Sequence, residues 1–143
     1  MVLVLGSVSF SGKAYAMTEY GTATHINDSV TSAISYKGSW QYYNSRGIGD
    51  YANDVHATIY NNDYFEYSFY GTGIEMITEK DNCLGNVDIY IDNVFQATVN
   101  CYNATLLTQQ NVYGKTGLAL GTHTLKAVKK SGTYMILDAV RFY

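Results

Sequence analysis

CLGNVDIYIDNVFQATVNC, residues 83–101, alternates apolar and polar side chains on both sides of a single turn signal. Val87, Ile89 and Ile91 share one face, with Asp88, Tyr90 and Asp92 between them. Phe95, Ala97 and Val99 repeat the pattern beyond Asn93. A period of two on either side of a turn predicts an antiparallel hairpin with one buried face. If Val87, Ile89 and Ile91 point inward, they stand opposite Val99, Ala97 and Phe95. That pairing calls for a three-residue turn, Asp92-Asn93-Val94, because a two-residue turn sets Ile89 against Gln96. Gly85 then faces Cys101, and Cys83 lies just beyond.

The same period runs through the chain from residue 26. Phe65, Tyr67 and Phe69 alternate with Tyr64, Glu66 and Ser68, and Tyr134 to Leu137 form an apolar run. Strands are expected at 33–36, 39–43, 55–60, 64–70, 74–79, 86–92, 95–100, 109–114, 122–129 and 133–142, separated by Asn-, Asp- and Gly-rich turns. No helix of three turns is apparent. Many short strands at this spacing predict an all-β, two-sheet antiparallel β-sandwich or a barrel. The loop 44–54, NSRGIGDYAND, is longer than the rest. Connections of that length in a compact domain are functional or mobile, or else cross between sheets.

With 143 residues the chain is one domain. Hydrophobic residues make up 47% and charged ones 15%, which excludes disorder. A net charge of −3, with nine scattered basic residues, excludes a nucleic-acid partner. Fifteen Tyr, five Phe and one Trp suit a pleated sheet and also the flat face of a sugar ring. Residues 1–16, MVLVLGSVSFSGKAYA, read as the back part of a secretory signal ending in an A-x-A site, Ala14-Tyr15-Ala16. Residues 17–25 are then a lead-in to a sandwich spanning 26–143, in a secreted, extracellular protein. No other segment approaches the ~20 apolar residues of a membrane span, so no membrane insertion is expected.

The two cysteines do not read as chemistry. Zinc would need about four ligands, and His25, His56 and His123 show no paired spacing with them. A C-x-x-C redox pair is absent. A disulfide in an oxidising compartment and a free Cys101 packed as a small hydrophobe both remain open, and both are structural. Glu75, Glu79, Asp81 and Asp88 could in principle furnish the paired carboxylates of a hydrolase. Asp88 alternates with core residues as a solvated face does, and no nucleophile elbow or His pair is present. The chain is therefore expected not to be an enzyme.

INDSVTSAISYKGSW, GIGDYANDVHATIYNNDYFEYSF, YGTGIEMITEKDNCLGNVDIYID and KTGLALGTHTLKAVKKSGTYMILDAVRF carry a further signal. From about residue 26 to 143 they resemble the jelly-roll carbohydrate-binding modules of galactose-binding-domain-like fold, commonly appended to secreted bacterial glycoside hydrolases. The resemblance implies a non-catalytic module that targets a larger protein to a polysaccharide or glycan, working as a monomer. The alternative is an adhesive sandwich of a surface protein that binds a protein partner. It also implies a structural calcium tying the N-terminal loop to the last strand, with Asn27, Asp28 and Asp138 as oxygen donors. Asp138 interrupts an apolar strand, where a carboxylate needs a cation or hydrogen-bond donors.

Counting strands alternately up and down places loops 61–63, 80–86, 101–108 and 130–132 at one end and 44–54, 71–73, 92–94 and 115–121 at the other, with a fold of the long loop back over a sheet face as the alternative. The first end offers Glu79, Asp81, Tyr102 and Lys130. The second gathers Tyr43, Arg46, Asp50, Tyr51, Asp54 and His56, and these six are the expected carbohydrate contacts: an aromatic face plus polar groups that pair with hydroxyls. Trp40 reads as a core anchor or as an exposed platform.

Overall fold

Alternation of large apolar residues with polar ones dictates strands along the whole chain, and the computed structural model, which describes residues 22–143, carries twelve of them. The expected signal segment 1–16 and the first part of the lead-in lie outside the described residues. β2 (Ile34–Lys37), β5 (Tyr64–Gly71), β10 (Gly121–Lys129), β7 (Asn86–Ile91) and β8 (Val94–Asn100) form one antiparallel sheet in the order β2-β5-β10-β7-β8. β1 (Thr24–Asn27), β12 (Ala139–Phe142), β6 (Ile74–Lys80) and β9 (Leu107–Lys115) form a second, in the order β1-β12-β6-β9. β11 (Met135–Leu137), β4 (Asp54–Thr58) and β3 (Gln41–Asn44) form a third, which continues the second because β11 and β12 are one chain segment broken only at Asp138. β1 begins at Thr24, inside the expected lead-in.

The core lies between the layers. Phe65, Tyr67 and Phe69 of β5, Val87, Ile89 and Ile91 of β7, and Leu125 and Ala127 of β10 point inward against Ile74 and Met76 of β6, Val140 of β12 and Leu137 of β11. Lys129 ends the β10 row fully buried, its ammonium donating to Asn61 Oδ1 at 2.6 Å and to the Gly132 carbonyl at 2.7 Å. Those acceptors replace water around the charge, as burial requires. Trp40 is a wall of this core and not a platform: it packs edge-on against Phe65 and beside Tyr36, with its indole N–H on the Lys37 carbonyl.

The 83–101 hairpin keeps its predicted core register and corrects its turn. Val87 pairs with Val99 and Ile89 with Ala97 as expected. The turn, however, has two residues, Asp92 (φ 51°) and Asn93 (φ 63°), the left-handed pair that matches strand twist in a tight hairpin. A bulge between Ile89 and Tyr90 absorbs the extra residue, so Ile91 faces Val94 and Tyr90 faces Phe95. Phe95 therefore leaves the core, 53% exposed, and stacks edge-on with Tyr90. Both cysteines are free: Cys101 is buried, and burial pushes its thiol up to about 11, while Cys83 is half-buried. The predicted strand 133–142 divides at Asp138, where its partner changes from β4 to β1 and β6.

The bulge fixes which side chains hold the hairpin. Ile89→Ala should cost about 2–5 kcal/mol, as emptied core sites do. Phe95→Ala should cost no more than the ~1.5 kcal/mol of an exposed aromatic pair. Urea denaturation of the two variants measures both; a Phe95 penalty as large as that of Ile89 would mean an unbulged hairpin.

Candidate functional site

Two features meet where β11 passes into β12: a buried carboxylate cluster and an open groove. Asp138, fully buried, stands at the break; its Oδ2 accepts the Tyr51 amide at 3.1 Å, and its backbone bonds Ile77 on one side and Asp28 on the other. Asp28 is also fully buried and meets His56 Nδ1 at 2.7 Å. The His56 ring stacks on Tyr36 at 4.2 Å and 14°. Asp54 accepts from Asn27 Nδ2 at 3.0 Å and from the Tyr42 hydroxyl at 2.8 Å. This ties the end of β1 to the start of β4 against the last strand.

The acids exceed their partners. Asn27 Oδ1, Asp28 Oδ1, Asp138 Oδ1 and both carboxylate oxygens of Asp50 are buried without accepting a hydrogen bond. Burial above all, with Asp50, Asp28 and Glu79 adding repulsion, pushes the Asp138 carboxyl up to about 7, against the lowering effect of the Tyr51 amide. Asp28 is raised by burial too, although His56 partly offsets it. Hard oxygens left unpaired in this number are the donor chemistry that calcium takes. Among the described residues no group of three or more His, Cys, Asp or Glu is already arranged around a metal position. The donor type, with Asn27 adding one oxygen outside that count, is that of a hard cation, while the side chains do not converge on a position for one.

The loop 44–54 folds back over the sheet instead of projecting from the end of the sandwich. Gln109 Nε2 of β9 holds the Gly49 carbonyl at 2.7 Å. Ser45, Gly47, Gly49, Ala52 and Asn53 all have positive φ, so the loop is tightly coiled. Strain of that kind persists only where surrounding contacts enforce it. Arg46 provides the main one: its guanidinium pairs with the buried Glu79 and with Asp50 at 3.1 Å. Burial raises Glu79 to about 6, with Arg46 lowering and Asp50 raising it.

Beneath the loop runs a groove of about 220 Å³ lined by Tyr43, Arg46, Val55, Ala57, Glu79, Asp81, Cys83, Tyr134 and Ile136. Its position follows from strand alternation. Tyr43, Val55, Ala57 and Ile136 share one face of the β11-β4-β3 sheet, while Tyr42, His56 and Leu137 share the other. Of the six expected carbohydrate contacts, Tyr43 and Arg46 line the groove and Asp50 backs Arg46. Tyr51 stacks on His25 at 5.5 Å. Asp54 and His56 face the buried cluster with the expected calcium donors Asn27, Asp28 and Asp138. Glu79 and Asp81, assigned by strand counting to the opposite end, join Arg46 because the loop folds over the sheet. Tyr134 was legible only as part of an apolar run; its place on the open face is set by the pairing of β11 with β4.

Of the remaining acids, Glu75 is bound by Arg141, Tyr143 and Asn111, and Asp88 by Thr98 with Lys130 nearby. A larger groove of about 490 Å³ crosses the outer face of the five-stranded sheet between Ser35, Glu66, Ser68, Asn93 and Thr124. It has no aromatic wall.

No family model matches the chain. Over 105 residues it is 28% identical to an A type blood N-acetyl-alpha-D-galactosamine deacetylase of Flavonifractor plautii, covering 71% of this chain and 13% of that enzyme. It thus spans only a small part of the curated relative. Among solved structures it is similar to the first family-36 carbohydrate-binding module of a multidomain xylanase from the hindgut metagenome of Trinervitermes trinervoides. The TM-score is 0.56 at 16% identity, covering 84% of this chain and 95% of that one. A family-36 module in complex with calcium and xylotriose matches with a TM-score of 0.52 at 19% identity, over 82% of this chain and 97% of that one. These likenesses are of fold, and the fold is the jelly-roll β-sandwich of carbohydrate-binding modules.

The raised acids set a pH dependence. A carboxyl whose folded value lies above its unfolded one stabilises the fold while protonated, and that stability is lost as pH rises through the folded value. In EDTA the melting temperature should therefore fall between about pH 4, the unfolded Asp138 value, and about 7, its folded one. Asp138→Asn keeps an acceptor for Tyr51 and should flatten this slope, gaining several degrees at neutral pH. Thermal melts across that range in both proteins provide the check; equal slopes would place the cost elsewhere.

Proposed function

We propose that this chain is a non-catalytic carbohydrate-binding module that brings a larger secreted protein to a glycan. The observation that carries the proposal is the groove: Tyr43 and Tyr134, 46% and 36% exposed, flank an apolar floor of Val55, Ala57 and Ile136. A sugar ring presents an apolar face to such tyrosines and its hydroxyls to charged groups at the rim. Arg46, Glu79 and Asp81 provide that rim. The groove is open and shallow, which suits weak binding, roughly micromolar to millimolar, or about 4–8 kcal/mol.

The similarity to 13% of a deacetylase of Flavonifractor plautii supports the appended arrangement, in which catalysis belongs to another part of the protein. The fold shared with a module solved with calcium and xylotriose supports a glycan ligand and a structural cation. Asn27, Asp28 and Asp138 would hold the calcium, whose charge would neutralise the buried acids at the β1–β12 junction. Asp50 and Asp54 lie beside them. In this arrangement the cation belongs to the scaffold, and the groove side chains contact the sugar.

A broad glycan array probed with the full chain, once in calcium and once in EDTA, tests the proposal. Binding to a defined glycan class is expected, with Tyr43→Ala and Tyr134→Ala each weakening it at least about tenfold, in line with the loss of an aromatic stacking contact. Both side chains lie at the surface and outside the buried core, so their loss should leave the melting temperature within a few degrees. Calcium should raise that temperature for the unmodified chain and not for Asp138→Asn. A blank array with folded protein would turn the reading toward an adhesive module with a protein partner.

A further inference from the structure

The groove carries more negative than positive charge. Arg46 is its single Lys or Arg, and its guanidinium is already shared between Glu79 and Asp50. Asp50 has a fully buried side chain whose two oxygens accept no hydrogen bond even with Arg46 at 3.1 Å. Asp81, on the same wall as Glu79, is half-buried and makes no ion pair with any described residue. Its Oδ1 accepts the Asn82 amide at 2.8 Å, and its Oδ2 meets only the Cys83 thiol at 3.8 Å. One guanidinium thus pairs with two of the three carboxylates around a groove with aromatic flanks, and Asp81 is left over.

We propose that the groove selects a sugar bearing a free amino group, seating its ring between Tyr43 and Tyr134 and its ammonium against Asp81. This rests on the glycan-binding reading above and specifies its ligand class. An ammonium brings a half-buried carboxylate a compensating charge as well as a hydrogen bond, whereas a hydroxyl brings the hydrogen bond alone. An N-acetylated sugar presents a neutral amide at that point. A uronic acid places a fourth carboxylate beside the other three, with Arg46, already paired with Glu79 and Asp50, as the one guanidinium lining the groove. The groove therefore discriminates by repulsion as well as by attraction. A cation held by Asn27, Asp28 and Asp138 leaves Asp81 uncompensated, so the preference persists in calcium.

Titration calorimetry on the full 143-residue chain at about neutral pH, in calcium, decides the matter. The ligands are glucosamine and galactosamine, their N-acetyl forms, glucose, galactose, the two corresponding uronic acids, and putrescine as an amine without a ring. The free amino sugars should bind at least about tenfold tighter than their N-acetyl and neutral counterparts, and the uronic acids most weakly. Asp81→Asn, which keeps the acceptor for Asn82, should shrink that preference to within about threefold. Equal binding of amino, N-acetyl and neutral sugars would overturn the inference and leave the glycan groove standing. Tighter uronic-acid binding, or putrescine matching the amino sugars, would overturn it too. No binding of any sugar by folded chain would remove both this inference and the groove beneath it. Should Asp81→Asn fail to fold, the ligand series on the unmodified chain still decides.

Discussion

A carboxylate buried in the middle of an apolar strand has to be answered by its surroundings, and Asp138 organises the sandwich for that reason. Its backbone is where the last strand exchanges β4 for β1 and β6 as neighbours. Its side chain takes the Tyr51 amide and so anchors the end of the long loop. Asn27, Asp28 and Asp54 gather around the same junction, with His56 against Asp28. The cost of this arrangement shows in carboxyls lifted above their ordinary range and in oxygens without donors. An apolar residue at 138 would remove that cost. It would also remove the acceptor of the Tyr51 amide, which ties the loop to the final strand.

Cluster and groove share a wall. Asp50 belongs to the buried acids through its repulsion with Asp138, and to the groove through Arg46. Arg46 in turn lies between the coiled loop and Glu79 on β6. One guanidinium therefore links the buried cluster, through Asp50, to the groove. The loop's left-handed residues fit this role, since a backbone held in strained conformations needs contacts such as those of Arg46, Gln109 and Asp138 to keep its shape.

The bulged hairpin shows how a register can be right while its turn is wrong. Burial of Val87 and Ile89 against Val99 and Ala97 is worth several buried side chains, and the backbone yields to it. The tight turn at Asp92-Asn93 is favoured locally because both residue types tolerate left-handed φ. The two preferences differ by one residue, and the bulge at Tyr90 reconciles them by exposing Phe95. Pattern alone assigned Phe95 to the core because nothing in its spacing announces a bulge.

The sequence by itself determined the all-β class, nearly every strand, the core rows of β5 and β7, and the oddity of a carboxylate at Asp138. Each follows from local chemistry: a period of two, turn residues that accept left-handed φ, and a charge placed in an apolar run. It also marked the 44–54 loop as the long one, with Arg46, Asp50, Tyr51 and Asp54 as its polar and aromatic content and Tyr43 beside it. Only the tertiary structure decided that the loop lies back over the sheet, since that depends on Arg46 reaching Glu79, thirty-three residues away. The same long-range contact brought Glu79 and Asp81 into the groove, and the pairing of β11 with β4 set Tyr134 at its edge. Whether a residue on β4 faces the groove or the buried acids is likewise a matter of which neighbours the strand acquires. Val55 and His56 are adjacent in sequence and stand on opposite sides of the sheet.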